Sequence, residues 1–317
     1  MELITDWEHH QAVERMQTVF SIGVFDGLHL GHKHLVDMVI KKAAKLKVAS
    51  LVLTFDPHPL EVLAPTAAPP ALTTLQQKVE ILSDWGLDRL GVIKFNREVA
   101  SISPQNFLFQ FLDKFIDPVV AVLGPDFTFG QGAKGNAETI IDWLGRTNPK
   151  ARVLIADPRR GKDGVYSSSQ IRQNLKSGLV ELAAKSLGRP YRLQGRVIHG
   201  QARGRNLGFP TANLGHIHQL IPAPGVYAVR VNLDDGVYGG MTSIGFNPTF
   251  NSGIPESQPL TVETNIFDFD RFIYNQELSL DFMVNLREMI RFKSPEQLVR
   301  QLEKDRQNAQ LALPRPE

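Results

Sequence analysis

The chain has 317 residues, 42% of them hydrophobic and 21% charged, with a formal net charge of +2. That length gives about two domains with cores of their own, and the near-balance of charge leaves no broad basic footprint for nucleic acid. The absence of cysteine excludes disulfides, thiolate metal sites and cysteine nucleophiles, and fits a reducing cytosol. The first ten residues are polar and carry acids, which does not read as a signal peptide. No apolar run approaches the ~18 residues of a membrane span. The compartment these features point to is the cytoplasm. No internal repeat or low-complexity tract stands out.

Residues 18–25 predict a strand and residues 31–47 an amphipathic helix. Between them run Gly23, Val24, Phe25, Asp26, Gly27, Leu28, His29, Leu30, Gly31 and His32. A strand, a glycine-containing turn and a helix start offer free backbone N–H groups and the positive end of a helix dipole to a phosphate. His29 and His32, three residues apart, are expected on one face of the first helical turn, within reach of the same anion. This suits a nucleotide whose α–β phosphate bond is being broken. The ordinary alternative is a pair of capping histidines after a common turn, and a motif this short does not decide between them.

Residues 48–55 predict a buried strand ending in Asp56, Pro57, His58 and Pro59. Leu75, Val79 and Leu82 space a helix over 75–85. A strand over 89–95, a helix over 104–115, a strand over 119–123, a helix over 137–144 and a strand over 151–156 follow. This alternation implies a parallel, doubly wound α/β sheet with ligands at the carboxyl ends of its strands. The Pro-rich loop 64–72 lies where a lid over a phosphate would sit, and loop 157–164 is basic. Each also reads as an ordinary surface loop.

Two short helices, 168–175 and 180–187, come next, the second stopped by Gly188 and Pro190. From Tyr191 the pattern changes to short alternating segments at 191–198, 225–233, 239–244, 260–267 and 277–286. These predict an all-β antiparallel barrel or sandwich. A helix over 295–310, capped by Ser294 with Leu298, Val299 and Leu302 on one face, closes the chain. The change of pattern places the domain boundary near 186–190, giving domains 1–187 and 188–317.

Residues 23–32 resemble the active-site signature of the nucleotidyltransferase superfamily that also contains class I aminoacyl-tRNA synthetases. Three further segments narrow the resemblance: residues 54–59, residues 124–130 around Asp126, and residues 167–172 from Ser167 to Arg172. In the second half, residues 204–213, from Gly204 to Asn213, are similar to the flavokinase signature. Residues 224–227, residues 244–250, Val262-Glu263 and Leu286-Arg287 follow it. In order, from about residue 18 to 305, these segments resemble the prokaryotic bifunctional riboflavin kinase/FAD synthetase family. The resemblance implies a Rossmann-like nucleotidyltransferase domain followed by an antiparallel β-barrel flavokinase domain with a closing C-terminal helix. It implies two reactions: riboflavin and ATP give FMN, and FMN and ATP give FAD and pyrophosphate.

In the second reaction the nucleophile is a phosphate that is already an anion, so positioning and charge stabilisation carry the catalysis. The resemblance gives His29 and His32 to the ATP phosphates and the transition state, with Gly23, Phe25 and Gly31 in the phosphate turn. It gives Ser168 and Arg172 to the β and γ phosphates, the arginine fork suiting that geometry. The ordinary alternative for residues 167–169 is a plain N-cap. Asp126, Phe55, His58 and Pro59 are expected on the flavin side. In the first reaction the nucleophile is a weakly acidic ribityl hydroxyl, which calls for a carboxylate. By resemblance that base is Glu263, which otherwise reads as a solvated strand residue. Thr211 and Asn213 are expected to hold Mg²⁺ together with ATP phosphates, the ordinary alternative being a turn with an Asx bond. Gly200, Gly204 and Gly208 would let backbone approach phosphate, and Arg287 would contact flavin.

The sequence departs from the family pattern at Asn247 and Thr128, where arginine is common, and at Asn275, where glycine is usual. Met289 and Ile290 lie in the Leu286-Arg287 segment, where a glutamate often follows, and Ser169 replaces a threonine. The partners implied are riboflavin, FMN, FAD and ATP, with no nucleic acid and no membrane; self-association is left open. Two other readings compete: an adenylyltransferase whose barrel only binds flavin, and a flavin-binding regulator without turnover. Glu263, His29, His32 and Arg172 argue against the regulator. A tRNA-charging enzyme is disfavoured by the chain's length and the missing basic surface.

Overall fold

The computed structural model describes residues 1–5, 15–162, 164–200, 208–246 and 260–313. They divide into two compact units, Met1–Tyr166 and Ser167–Glu317.

The first unit is built on a parallel sheet of β1 (Glu2–Ile4), β2 (Met16–Ile22), β3 (Ala49–Asp56), β4 (Arg89–Lys94), β5 (Ile116–Leu123) and β6 (Arg152–Ile155). Its spatial order is β1-β4-β3-β2-β5-β6. β3 is buried along nearly its whole length, as expected of a parallel strand covered on both faces. One face packs Val19, Val52, Leu90 and Val122 against Leu35, Val36, Val39 and Ala43 of α1 (Leu30–Leu46). The other packs Phe20, Leu53, Ile93 and Leu123 against Phe107, Leu112, Ile140 and Leu144. The chain steps from β2 outward to β3 and β4, then crosses to β5 on the opposite side of β2. The point of reversal is therefore the gap between β2 and β5, where open α/β sheets form their ligand crevice.

The remaining helices here are α2 (Pro59–Leu63), α3 (Leu75–Asp84), α4 (Arg97–Ser101), α5 (Pro104–Leu108) and α6 (Ala137–Thr147). The helix expected over 104–115 is α5 followed by a π-helical turn over Phe109–Asp113. The wider turn buries Phe111 and Leu112 along with Phe107 and Leu108 and leaves Phe109 exposed. Short features that escaped the sequence reading include β1, α2, α4, and the two-residue strands β7 (Arg160–Gly161) and β8 (Gly164–Val165) in the basic loop. None is long enough to carry a periodic signal.

The second unit opens with α7 (Ser168–Lys176) and α8 (Val180–Leu187). Gly188, at φ 75°, ends α8, its N–H donating to the Ala184 carbonyl at 2.8 Å. A closed antiparallel barrel follows. It comprises β9 (Tyr191–Ile198), β10 (Ala212–Gly215), β11 (Gly225–Leu233), β12 (Gly236–Phe246), β13 (Leu260–Ile266) and β14 (Glu277–Arg287), in the order β10-β13-β12-β11-β14-β9. Tyr191, Leu193, Val229, Val231, Leu280 and Phe282 are fully buried. α9 (Pro295–Ala312), capped by Ser294 as expected, lays Val299, Leu302 and Ala309 on Ala228, Met241 and Val284. The division by contacts falls at residue 166 because the segment after it binds the barrel. The Glu181 carboxylate accepts from the Asn285 N–H at 3.2 Å, and the Asn285 amide donates to the Gly178 carbonyl at 3.0 Å.

Leu53 is fully buried at the centre of the parallel sheet. Leu53→Ala is expected to destabilise the first unit by about 2–5 kcal/mol through lost contacts and a residual cavity. All three tryptophans precede residue 167, so tryptophan fluorescence during denaturant unfolding reads this unit alone.

Candidate active sites

The first-half motifs converge by topology. Residues 23–29 follow β2, His58 and Pro59 follow β3, Asp126 follows β5 and the basic loop follows β6, so all four lie at carboxyl ends of one parallel sheet.

The turn after β2 has an unusual backbone. Phe25 (φ 51°) and Leu28 (φ 42°) are left-handed without being glycine, and Gly27 between them is at φ 81°. Such residues persist only where surrounding structure holds them. Here the Phe25 and Leu28 side chains are buried in the core with α1. The buried Asp26 carboxylate accepts from the Leu72 N–H at 3.0 Å and the Thr73 N–H at 3.2 Å. The Thr73 hydroxyl in turn accepts from the Gly27 N–H at 3.1 Å. Asp26 thus ties the Pro-rich loop to the turn after β2, a role the sequence reading did not assign it.

His29 is not inside the helix but its N-cap. Its Nδ1 accepts from the Gly31 and His32 N–H groups at 3.1 and 3.3 Å. An Nδ1 that accepts places the proton of the neutral ring on Nε2. The His29 and His32 rings stack, centroids 3.7 Å apart at 17°, and Phe25 meets His32 edge-on at 5.3 Å. Gly31 is needed for this arrangement, since a Cβ there would stand 2.9 Å from the His29 ring.

The flavin-side candidates differ in what they expose. Asp126 and Thr128 are exposed in the loop after β5. His58 caps α2, its Nδ1 accepting from the Leu60 N–H at 3.1 Å, and Pro59 is the first residue of that helix. Phe55 is in the core, against Phe95 and Phe107. Ser167 is the N-cap of α7, accepting from the Gln170 N–H at 3.2 Å, as the ordinary reading of that segment had it. Ser168 and Arg172 lie one turn apart on α7, both half-buried.

In the barrel, strand pairing brings together residues distant in sequence. Asn213 on β10 stands opposite Glu263 on β13, and Ser243 on β12 stands opposite Glu263 from the other side. Directly opposed side chains share a face, with Cβ atoms about 4.5–5.5 Å apart. Glu263 is half-buried. Asn265, two residues along β13 and 5% exposed, donates its amide to the Pro210 carbonyl at 2.8 Å, fixing the peptide that leads into Thr211. Thr211 lines a cavity of about 360 Å³ with Val197, Ala212, Thr264, Ile266 and Tyr274. Sequence reasoning missed both Asn265 and this cavity; the aromatic cluster Phe269, Phe272 and Tyr274 was the available signal.

A Cβ on Gly200 would overlap the Asn213 amide, so that glycine lets the amide lie on the backbone. Gly208 is left-handed at φ 81°, and Gly204 and Asn247 fall outside the described residues. Asn275 is left-handed at φ 62°, a conformation asparagine tolerates, which explains how it serves where glycine is usual. Met289 leans on β12, its sulfur 3.8 Å from the Ser243 hydroxyl. The Arg287 guanidinium is engaged by Asp305, at 2.7 Å, side chains 18% and 2% exposed. It therefore ties the end of β14 to α9.

Two different nucleotide-handling scaffolds on one chain, a parallel sheet with a histidine-capped phosphate turn and a closed barrel with a carboxylate on its wall, define a two-module transferase. A family model described as FAD synthetase matches residues 11–170, and one described as riboflavin kinase matches residues 187–313. A Bacillus subtilis protein named bifunctional riboflavin kinase/FMN adenylyltransferase is 38% identical over 308 residues, 96% of each chain. Proteins of the same name from Listeria monocytogenes and Escherichia coli K12 are 36% and 32% identical, over 92% and 96% of this chain and 90% and 96% of theirs. A Streptococcus pneumoniae crystal structure described as a macrolide-efflux protein is 30% identical with a TM-score of 0.83, covering 98% of this chain and 99% of that one. Among the described residues here, no helix is long and apolar enough to cross a membrane. The chain belongs to the bifunctional riboflavin kinase/FMN adenylyltransferase family.

Gly31→Ala should displace the His29 ring. FMN adenylylation is expected to fall by about 100-fold, the cost of an ångström-scale misplacement. Riboflavin phosphorylation by the same preparation, measured separately, should be unaffected.

Proposed function

We propose that the two reactions are carried by the residues placed above, one set in each functional domain. The chain makes FMN from riboflavin and ATP, and FAD and pyrophosphate from FMN and ATP; both steps are group transfers. The functional bounds we assign are 1–187 for adenylyl transfer and 188–317 for the kinase. The observation that carries the residue assignment is the capping of α1 by His29, whose ring stacks on that of His32 at the helix N-terminus.

In adenylyl transfer an FMN phosphate oxygen attacks the α-phosphorus of ATP and pyrophosphate leaves. No proton has to move to generate that nucleophile. The turn of residues 23–31, to which Gly23, Phe25 and Gly31 belong, leads into the positive end of α1, and that dipole and the His29 and His32 imidazoles bear on the charge that grows on the leaving group. Ser168 and Arg172 are assigned to β and γ phosphates, as the resemblance implies. Asp126, His58 and Pro59 are assigned to FMN, with Phe55 supporting that edge from the core.

In the kinase step Glu263 accepts the proton of the ribityl hydroxyl as its oxygen attacks the γ-phosphorus and ADP leaves. Gly200, Gly204 and Gly208 are assigned to the phosphates. Among the described residues no group of three or more His, Asp or Glu could hold a metal ion. The donors on offer are the Thr211 hydroxyl and the Asn213 amide oxygen, a set that fits a Mg²⁺ completed by phosphate oxygens. Held there with ATP, Mg²⁺ would neutralise charge on the transferring phosphoryl group. Arg287, held by Asp305, is assigned to the flavin side. The setting proposed is the cytoplasm, with small molecules as partners and no nucleic acid or membrane.

Glu263→Gln should lower FMN formation by about 10²–10⁴-fold, the contribution of a positioned base, while FMN adenylylation persists. His32→Ala should do the reverse. Either substitution silencing both activities in a folded protein would sink the assignment.

A further inference from the structure

The start of α3 grips the phosphate turn through residues no step above uses. Thr73 bonds Asp26 and Gly27. Thr74 caps α3 through a reciprocal capping box with Gln77. Lys78 follows, 6% exposed, and its Nζ donates to the Val24 carbonyl at 3.0 Å. The same carbonyl accepts from the Thr54 hydroxyl on β3 at 2.9 Å. Val24 is the residue before the left-handed Phe25, so these two donors fix the peptide from which the strained turn departs.

A buried ammonium is costly to desolvate, and burial pushes the Lys78 pKa down while Asp26, Asp56 and Glu61 oppose that. An apolar side chain would fill the space without that cost but could not hold the carbonyl. The hydrogen bond is charge-assisted, hence stronger than the one from Thr54.

We infer that Lys78 is a positioning residue for adenylyl transfer: its ammonium anchors the Val24 carbonyl and so holds the turn that sets His29 and the start of α1 toward the nucleotide phosphates. The inference rests on the reading of the first unit's site given above. Lys78 itself touches no substrate in this account; it acts through the turn.

The test uses the full chain with Lys78→Met, which keeps length and bulk, and Lys78→Arg, which keeps a cationic donor. In Lys78→Met the KM for ATP in FMN adenylylation should rise about tenfold, the scale of one charge-assisted hydrogen bond, with a smaller change in kcat. Riboflavin phosphorylation should be unchanged, and Lys78→Arg should recover most of the lost affinity. Amide hydrogen exchange supplies a readout independent of turnover: the Gly27, Gly31 and His32 N–H groups should exchange faster in Lys78→Met, with those of α9 unchanged. Turn amides that exchange at the wild-type rate, or two activities that fall together without rescue by arginine, would overturn the inference. A wild-type chain that makes no FAD from FMN would instead defeat the site reading, and the exchange data would still decide the role of Lys78.

Discussion

The first unit depends on a buried carboxylate placed where the backbone is most strained. Asp26 sits between two left-handed residues, Phe25 and Leu28, in the turn that leaves the central strand. Its oxygens take N–H donors from Leu72 and Thr73, so the loop that follows β3 is fastened to the turn that follows β2. Buried carboxylates are stable only when so satisfied. The turn is thereby held, and His29 is set at the head of α1 with its Nδ1 capping the helix.

The barrel meets a different chemical need by a different device. In the reading proposed for it, a ribityl hydroxyl gives up its proton to a carboxylate that stands near hard oxygen donors. The four-residue strand β10 achieves this by closing the barrel between β9 and β13, which sets Asn213 opposite Glu263 across fifty residues of sequence. FMN, whose phosphate is already charged, asks for no such base. The contrast between a site with a carboxylate and one with imidazoles and N–H groups is the contrast between the two nucleophiles.

Much of this architecture was legible because long elements carry strong periodic signals. The alternation through residue 156 gave the parallel sheet, and Gly188 and Ser294 marked helix ends where the structure has them. β10 was not legible: four residues between glycine-containing stretches look like a turn, and only pairing with partners on both sides makes them a strand. The same holds for Asp26 and Asn265. Each is defined by the backbone groups it bonds, Leu72 and Thr73 for one and Pro210 for the other, and no local pattern announces contacts across forty-six or more residues. His29 was legible as a candidate with capping as the ordinary alternative, and the structure has it as the cap of α1.

The central claim is that one chain carries two complete and separate transfer sites used in series. The most direct measurement is chromatography of the products formed over time by the purified chain with riboflavin, ATP and Mg²⁺. The account predicts FMN first, then FAD as FMN is consumed. FMN that accumulates with no FAD, or FAD formed only when FMN is supplied, would contradict it and identify which of the two sites is incomplete.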